Sequence, residues 1–386
     1  MAICGRILAT DSIRSLTGRG FSCALVRHHP ISSMIMTITR SLTTAALVGA
    51  ASFLGLSDVS GKVTVSKIFG DHMVLQQDAP IRIWGTADPG EQVIVGIPGG
   101  GNALVKADDK GKWKAELPGM KADGKTHALS VQGAKESDKI TLKDVLIGEV
   151  WLCSGQSNME WSVRSSLNAD REIAGAKHPQ IRLFNVPGHV RNAEPVDDPR
   201  GQWQVCSPQS IPNFTAVGYF FGRELQQNLK VPIGLVGTNW GGTRIEPWTP
   251  PVGFKAVPDL KDYVENLDAI EEAKKNGGNR PRPKGGAVEI YNGMVAPLIP
   301  LSVRGAIWYQ GERNGKDLAQ AQNYQRQLTL LIDYYRRSWH QLSQGAVARD
   351  FPFYFVQLPC WYPSQSAPVE EHAAWAVNRE MMRLVS

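Results

Sequence analysis

Three short segments combine residue types suited to acyl transfer from an ester. The first, Gly155-Gln156-Ser157-Asn158-Met159, lies just beyond the apolar run 149–153. Gly155 permits a tight turn with positive φ, and Ser157 and Asn158 are both helix N-cap types, so backbone N–H groups can face the serine hydroxyl. Such a serine is a candidate nucleophile, although a serine that merely caps a helix has the same local pattern. The second segment, Asn239-Trp240-Gly241-Gly242-Thr243, follows the apolar run 233–238. Paired glycines let a backbone N–H approach a substrate oxygen closely, as an oxyanion hole requires, but they also mark ordinary turns. The third segment, Trp308-Tyr309-Gln310-Gly311-Glu312, ends the run 303–309. There Gln310 offers an amide N–H to the same oxyanion, and Glu312 offers an acceptor to neighbouring loops. Trp240, Trp248 and Trp308 offer aromatic faces for a sugar ring, and equally fit a core.

Positioning these segments requires a sheet. Five apolar runs, at 149–153, 181–185, 233–238, 303–309 and 353–358, read as strands, with helical patterns at 215–228, 317–339 and 370–384 and a further one at 259–275. Apolar strands separated by helices indicate an α/β fold with a five-stranded, doubly wound parallel sheet. Reactive groups in such sheets gather beyond the carboxyl ends of the strands, which is where all three segments fall. Before them, residues 63–143 hold short β-prone runs broken by Asp88-Pro89-Gly90, Gly99-Gly100-Gly101 and Asp123-Gly124, the pattern of a small β-sandwich domain. The expected division is a leader at 1–60, the β-domain at 63–143 and the catalytic domain at 146–386.

Composition narrows the function. The formal charge of the 386 residues is +6, half of it in the leader, and no basic stripe forms, which argues against a nucleic-acid partner. The basic stretch from Lys274 to Lys284 is broken by Gly277, Gly278, Pro281 and Pro283 and reads as a solvated loop. Cys4 and Cys23 sit in the leader, and Cys153, Cys206 and Cys360 have no zinc-site spacing, so neither metal nor cofactor is expected. Met36 to Arg40 followed by the apolar stretch 42–56 is a signal-peptide pattern within 36–60, shorter than the ~20 residues a membrane span needs. A secreted or periplasmic protein without a stable membrane anchor is therefore expected. The first 35 residues, with Arg6, Arg14, Arg19 and Arg27, fit either a transit peptide or an upstream start codon.

Together the three blocks, with Glu246-Pro247-Trp248, resemble the sialate O-acetylesterase family, a branch of the SGNH-type hydrolases with a flavodoxin-like sheet. Met73-Val74-Leu75-Gln76 and Trp84-Gly85-Thr86-Ala87 are similar to the β-domain that precedes the catalytic unit there. The resemblance covers most of residues 65–386 and implies an acetylated-carbohydrate substrate. It implies Ser157 as nucleophile, an oxyanion hole from its own N–H, Gly241 or Gly242 and Gln310, and a rim of Trp240, Trp308 and Glu312. The family takes its base from an Asp-x-x-His motif after the fifth strand. None of the eight histidines here has an aspartate three positions before it, so the chain reads as ending before that motif. His372, beside Glu370 and Glu371, is the one histidine beyond the fifth strand and reads as a helix-end residue. Alternative readings are an esterase for acetylated plant polysaccharide and a carbohydrate-binding relative without turnover.

Overall fold

The computed structural model describes residues 7–8, 62–255, 260–279, 281–360 and 373–385. The expected signal peptide at 36–60, Cys4, Cys23 and His372 lie outside them. A mixed sheet forms the centre. Strands His178–Asn185, Ile233–Asn239, Lys139–Gly155, Gly305–Tyr309 and Phe353–Val356 run side by side in that order and pair in parallel. Trp203–Cys206 adds an antiparallel strand on one edge and Ile7–Leu8 on the other.

All five expected strands are present, and their order is where expectation fails. Numbered along the chain they stand 2-3-1-4-5, whereas flavodoxin-like winding is 2-1-3-4-5. The reason is that the central strands are apolar on both faces. Ile233–Asn239 is buried from Ile233 to Thr238 and Gly305–Tyr309 throughout, so the runs carry no mark of which neighbour each prefers.

The β-rich region before the sheet alternates instead. In Lys112–Leu117 the inward residues Trp113, Ala115 and Leu117 are buried and Lys112, Lys114 and Glu116 are exposed, the period-2 pattern of a half-buried strand. It pairs with Ile81–Thr86, while Gln92–Ile97 pairs with Gly101–Lys106 and with His127–Gln132. The expected boundary near 143–146 falls inside one strand. Lys139–Gly155 pairs with His127–Gln132 up to Val145, with Val74–Gln76 from Leu146 to Gly148, and with Ile233–Asn239 from Glu149.

Asp144 takes a positive φ of 54° at this transfer from one sheet to the next. Its carboxylate accepts from Arg182 Nη1 at 2.7 Å and Nη2 at 3.1 Å, with His72 Nδ1 at 2.6 Å. These partners, Arg182 first, hold the Asp144 carboxyl below its usual range.

The helices beside the sheet begin at side-chain caps. Thr215 Oγ1 accepts from Gly218 N at 3.1 Å to start Ala216–Leu229, and Asp317 Oδ1 accepts from Gln320 N at 2.9 Å to start Leu318–Leu342. In the long helix Ala321, Tyr324, Leu328, Leu331, Ile332, Tyr335 and Trp339 face inward at helical spacing. Ala373–Arg383 packs against it and against the turn Asn314–Lys316. Among the described residues no helix is long and apolar enough to cross a membrane, and no His, Cys, Asp and Glu cluster could hold a metal ion.

Candidate active site

The three segments converge at the carboxyl end of the sheet, knitted by backbone hydrogen bonds. Trp240 N donates to Gly155 O at 3.0 Å and Gln156 N to Tyr309 O at 2.9 Å, so the nucleophile turn is held by both flanking loops. Gly155 takes a φ of 145°, and a Cβ there would lie 2.1 Å from Tyr309 O. Only glycine fits so close to a neighbouring backbone. The turn then enters the short helix Ser157–Glu160 with Ser157 exposed at its start. Among the described residues the hydrogen bond at Ser157 Oγ is from Gln156 Nε2 at 3.5 Å, at the outer limit for one.

Ser157 stands against the glycine loop. A Cβ on Gly241 would lie 3.5 Å from Ser157 Cβ. The Gly241 N–H does not face the serine's substrate side as an open donor, because it donates to Glu160 Oε2 at 2.7 Å. Gly242 is exposed, with a φ of 73° and no heavy atom within 4 Å of its Cβ position. Neither its N–H nor that of Ser157 has a hydrogen-bond partner among the described residues.

Gln310 is placed differently from expectation. It is fully buried, and its Nε2 donates to Asn314 Oδ1 at 2.9 Å, Gln156 Oε1 at 3.0 Å and Thr243 O at 3.1 Å. Its Oε1 accepts from Tyr324 OH at 2.6 Å. The amide is therefore a joint beneath the three loops, with no N–H left for an oxyanion. Gln156 Oε1 extends the same joint, accepting also from Arg313 N at 3.3 Å and Gly311 N at 3.4 Å.

The aromatic rim is also corrected. Trp248 and Trp308 are fully buried and meet edge to face with centroids 5.7 Å apart, so neither presents a face to a sugar. Trp240 is half-buried, between His189 and Arg191. Exposed Trp161, just after the nucleophile helix, was not singled out from the sequence. Nor were Glu160 and His189. Only Glu160 left a sequence trace, three residues after Ser157 and so on the same side of a helical turn.

Glu312 supports the nucleophile turn from below. Its Oε1 accepts from Asn158 Nδ2 at 2.5 Å, while Oε2 is shut off from solvent with no partner among the described residues. Burial pushes the Glu312 carboxyl above its ordinary value, against the smaller pull of its own backbone N–H and of Asn158. A carboxyl whose pKa is raised on folding stabilises the fold below its unfolded value, near 4.5, and that contribution is lost as pH rises through the folded value. Glu312→Gln should therefore gain in Tm over the wild type as pH is raised from about 4 to 7. Thermal melts of both proteins across that range check this, and a difference that does not change with pH would contradict it.

Comparison with known proteins agrees with this architecture. The model of the family described as carbohydrate esterase, sialic acid-specific acetylesterase, matches residues 147–385. Human sialate O-acetylesterase is 33% identical over 306 residues, which cover 74% of this chain and 55% of that protein. The rat sialate O-acetylesterase is 31% identical over 372 residues, 86% of this chain and 65% of that one. A crystal structure of a carbohydrate acetylesterase from Xanthomonas citri matches with a TM-score of 0.67 at 32% identity, covering 84% of this chain and 66% of the other. The match thus spans little more than half of the human relative.

Proposed function

Because the chain belongs to the carbohydrate esterase, sialic acid-specific acetylesterase family, we propose that it is a serine esterase removing O-acetyl groups from sialic acids or related sugars. The observation that carries this reading is the exposed Ser157 where three strand-end loops converge against the glycine loop, with its own N–H and that of Gly242 unpaired among the described residues. Ser157 Oγ attacks the acetyl carbonyl carbon, and the negative charge that develops on the carbonyl oxygen is received by the N–H groups of Ser157 and Gly242. Collapse of that intermediate breaks the bond to the sugar oxygen, which leaves with a proton. Water then attacks the acyl-serine and releases acetate.

In this reading Gly241 and Gln310 support the loops, and Trp240 with exposed Trp161 lines the approach for the sugar. A serine hydroxyl needs a base to remove its proton. The resemblance implies that this base is the histidine of an Asp-x-x-His motif, which none of the eight histidines here fits. Among the described residues no histidine has a hydrogen bond to Ser157 Oγ.

Two measurements on the wild-type chain test the proposal. Acetate release from O-acetylated sialic acid, or from p-nitrophenyl acetate, is expected together with covalent labelling of the Ser157 peptide by a fluorophosphonate. Binding of acetylated glycan with neither turnover nor labelling would replace the esterase reading with a binding role.

A further inference from the structure

Glu160 sits where a catalytic role and a structural one must be told apart. It closes the short helix that Ser157 opens, so both side chains emerge on the same side of one turn. Both carboxylate oxygens are engaged by other segments. Oε2 accepts the Gly241 N–H at 2.7 Å, and Oε1 lies 2.5 Å from His189 Nε2. An ionised carboxylate can only accept, so the imidazole donates through Nε2–H.

His189 is itself fixed. It has a φ of 48°, a conformation rarely adopted by a non-glycine residue, and its ring stacks on Trp240 with centroids 4.5 Å apart and planes 4° from parallel. Trp240 also has the Arg191 guanidinium 4.6 Å from its ring centroid, and it precedes Gly241 in the chain. Glu160, Gly241, Trp240 and His189 therefore form a closed ring of contacts, with the Trp240 N–H anchored to Gly155 O.

We propose that Glu160, oriented by His189, is a positioning residue that clamps the glycine loop onto the nucleophile turn and leaves the oxyanion role to Gly242 in place of Gly241. The Gly241 N–H is consumed by the clamp, and the loop it fixes packs against Ser157. Among the described residues the neighbouring Gly242 N–H is left unpaired. A clamp of this kind acts through geometry, and a misplacement of about 1 Å at a reacting centre costs ~100-fold in rate.

The clamp itself stands on the contacts, whereas its effect on rate rests on the esterase reading, and the test separates the two. In wild-type protein, hydrogen exchange of the Gly241 amide, read residue by residue by NMR, is expected to be slow. Glu160→Ala should speed that exchange at least ~10-fold, and Glu160→Gln, whose amide oxygen can still accept from Gly241, should restore most of the protection. In the esterase assay Glu160→Ala should lower kcat by ~10- to 100-fold with KM little changed, and Glu160→Gln should recover most of it. Unchanged exchange in Glu160→Ala would overturn the clamp whatever the activity. Faster exchange with unchanged kcat would overturn its role in positioning. Faster exchange in a protein without wild-type turnover would uphold the clamp and reject the esterase reading. If Glu160→Ala fails to fold, His189→Ala carries the same exchange test, since it alters a side chain that is 46% exposed.

Discussion

Gly155→Ala should abolish the site and most of the stability with it, by at least about 3 kcal/mol. Two costs add. An alanine held at the observed φ of 145° is strained by about 1–3 kcal/mol whatever surrounds it. The added methyl would also lie 2.1 Å from Tyr309 O and 2.7 Å from Tyr309 C, which are backbone atoms of a central strand and have no rotamer to change. Relief can come only by parting the nucleophile turn from the strand Gly305–Tyr309, which breaks the 2.9 Å bond from Gln156 N to Tyr309 O. Trp240 N, bonded to Gly155 O, would lose its anchor in the same movement. A thermal melt and fluorophosphonate labelling of the purified variant check this. A variant that melts with the wild type and still labels at Ser157 would show that the turn is not held as described.

What the sequence revealed about the site followed from where segments lie, and what it concealed followed from where side chains point. That Ser157, the glycine loop and the Gln310 segment would meet was legible, because each follows an apolar run and a parallel sheet gathers such ends at one edge. The starts of the two main helices were legible too, since the patterns 215–228 and 317–339 begin at Thr215 and Asp317, which the structure shows to be their N-caps. Strand order was not, because runs buried on both faces are interchangeable to a pattern reader. Trp248 and Trp308 were open between rim and core until their burial decided for core. His189 lies in an irregular loop with no periodicity, and nothing in its neighbours along the chain announces that it will stack on Trp240.

Gln310 shows the same division most clearly, because its position was legible and its function was not. A glutamine at a strand end beside a nucleophile reads as an oxyanion donor, and its loss would then reduce turnover without unfolding the protein. In the structure its amide is consumed internally, so Gln310→Ala should instead destabilise the fold by about 3 kcal/mol, with activity lost as a consequence. The substitution removes the donor to Gln156 Oε1, Thr243 O and Asn314 Oδ1 and the 2.6 Å acceptor of Tyr324 OH, all in a site with no solvent to replace them. Each buried polar group left without a partner costs roughly 1–3 kcal/mol, and the cavity adds to that. Some of the loss is softened, because Gln156 Oε1 keeps its bonds from Gly311 N and Arg313 N, and Tyr324 OH keeps Gln310 O at 3.0 Å. Gln310→Met separates the two contributions. It refills most of the volume without a donor or acceptor, so it should remain destabilised if the hydrogen bonds matter and recover if only the cavity does. Urea denaturation of the three proteins measures this directly, and a Gln310→Ala variant of wild-type stability with turnover reduced ~100-fold would return Gln310 to the oxyanion hole.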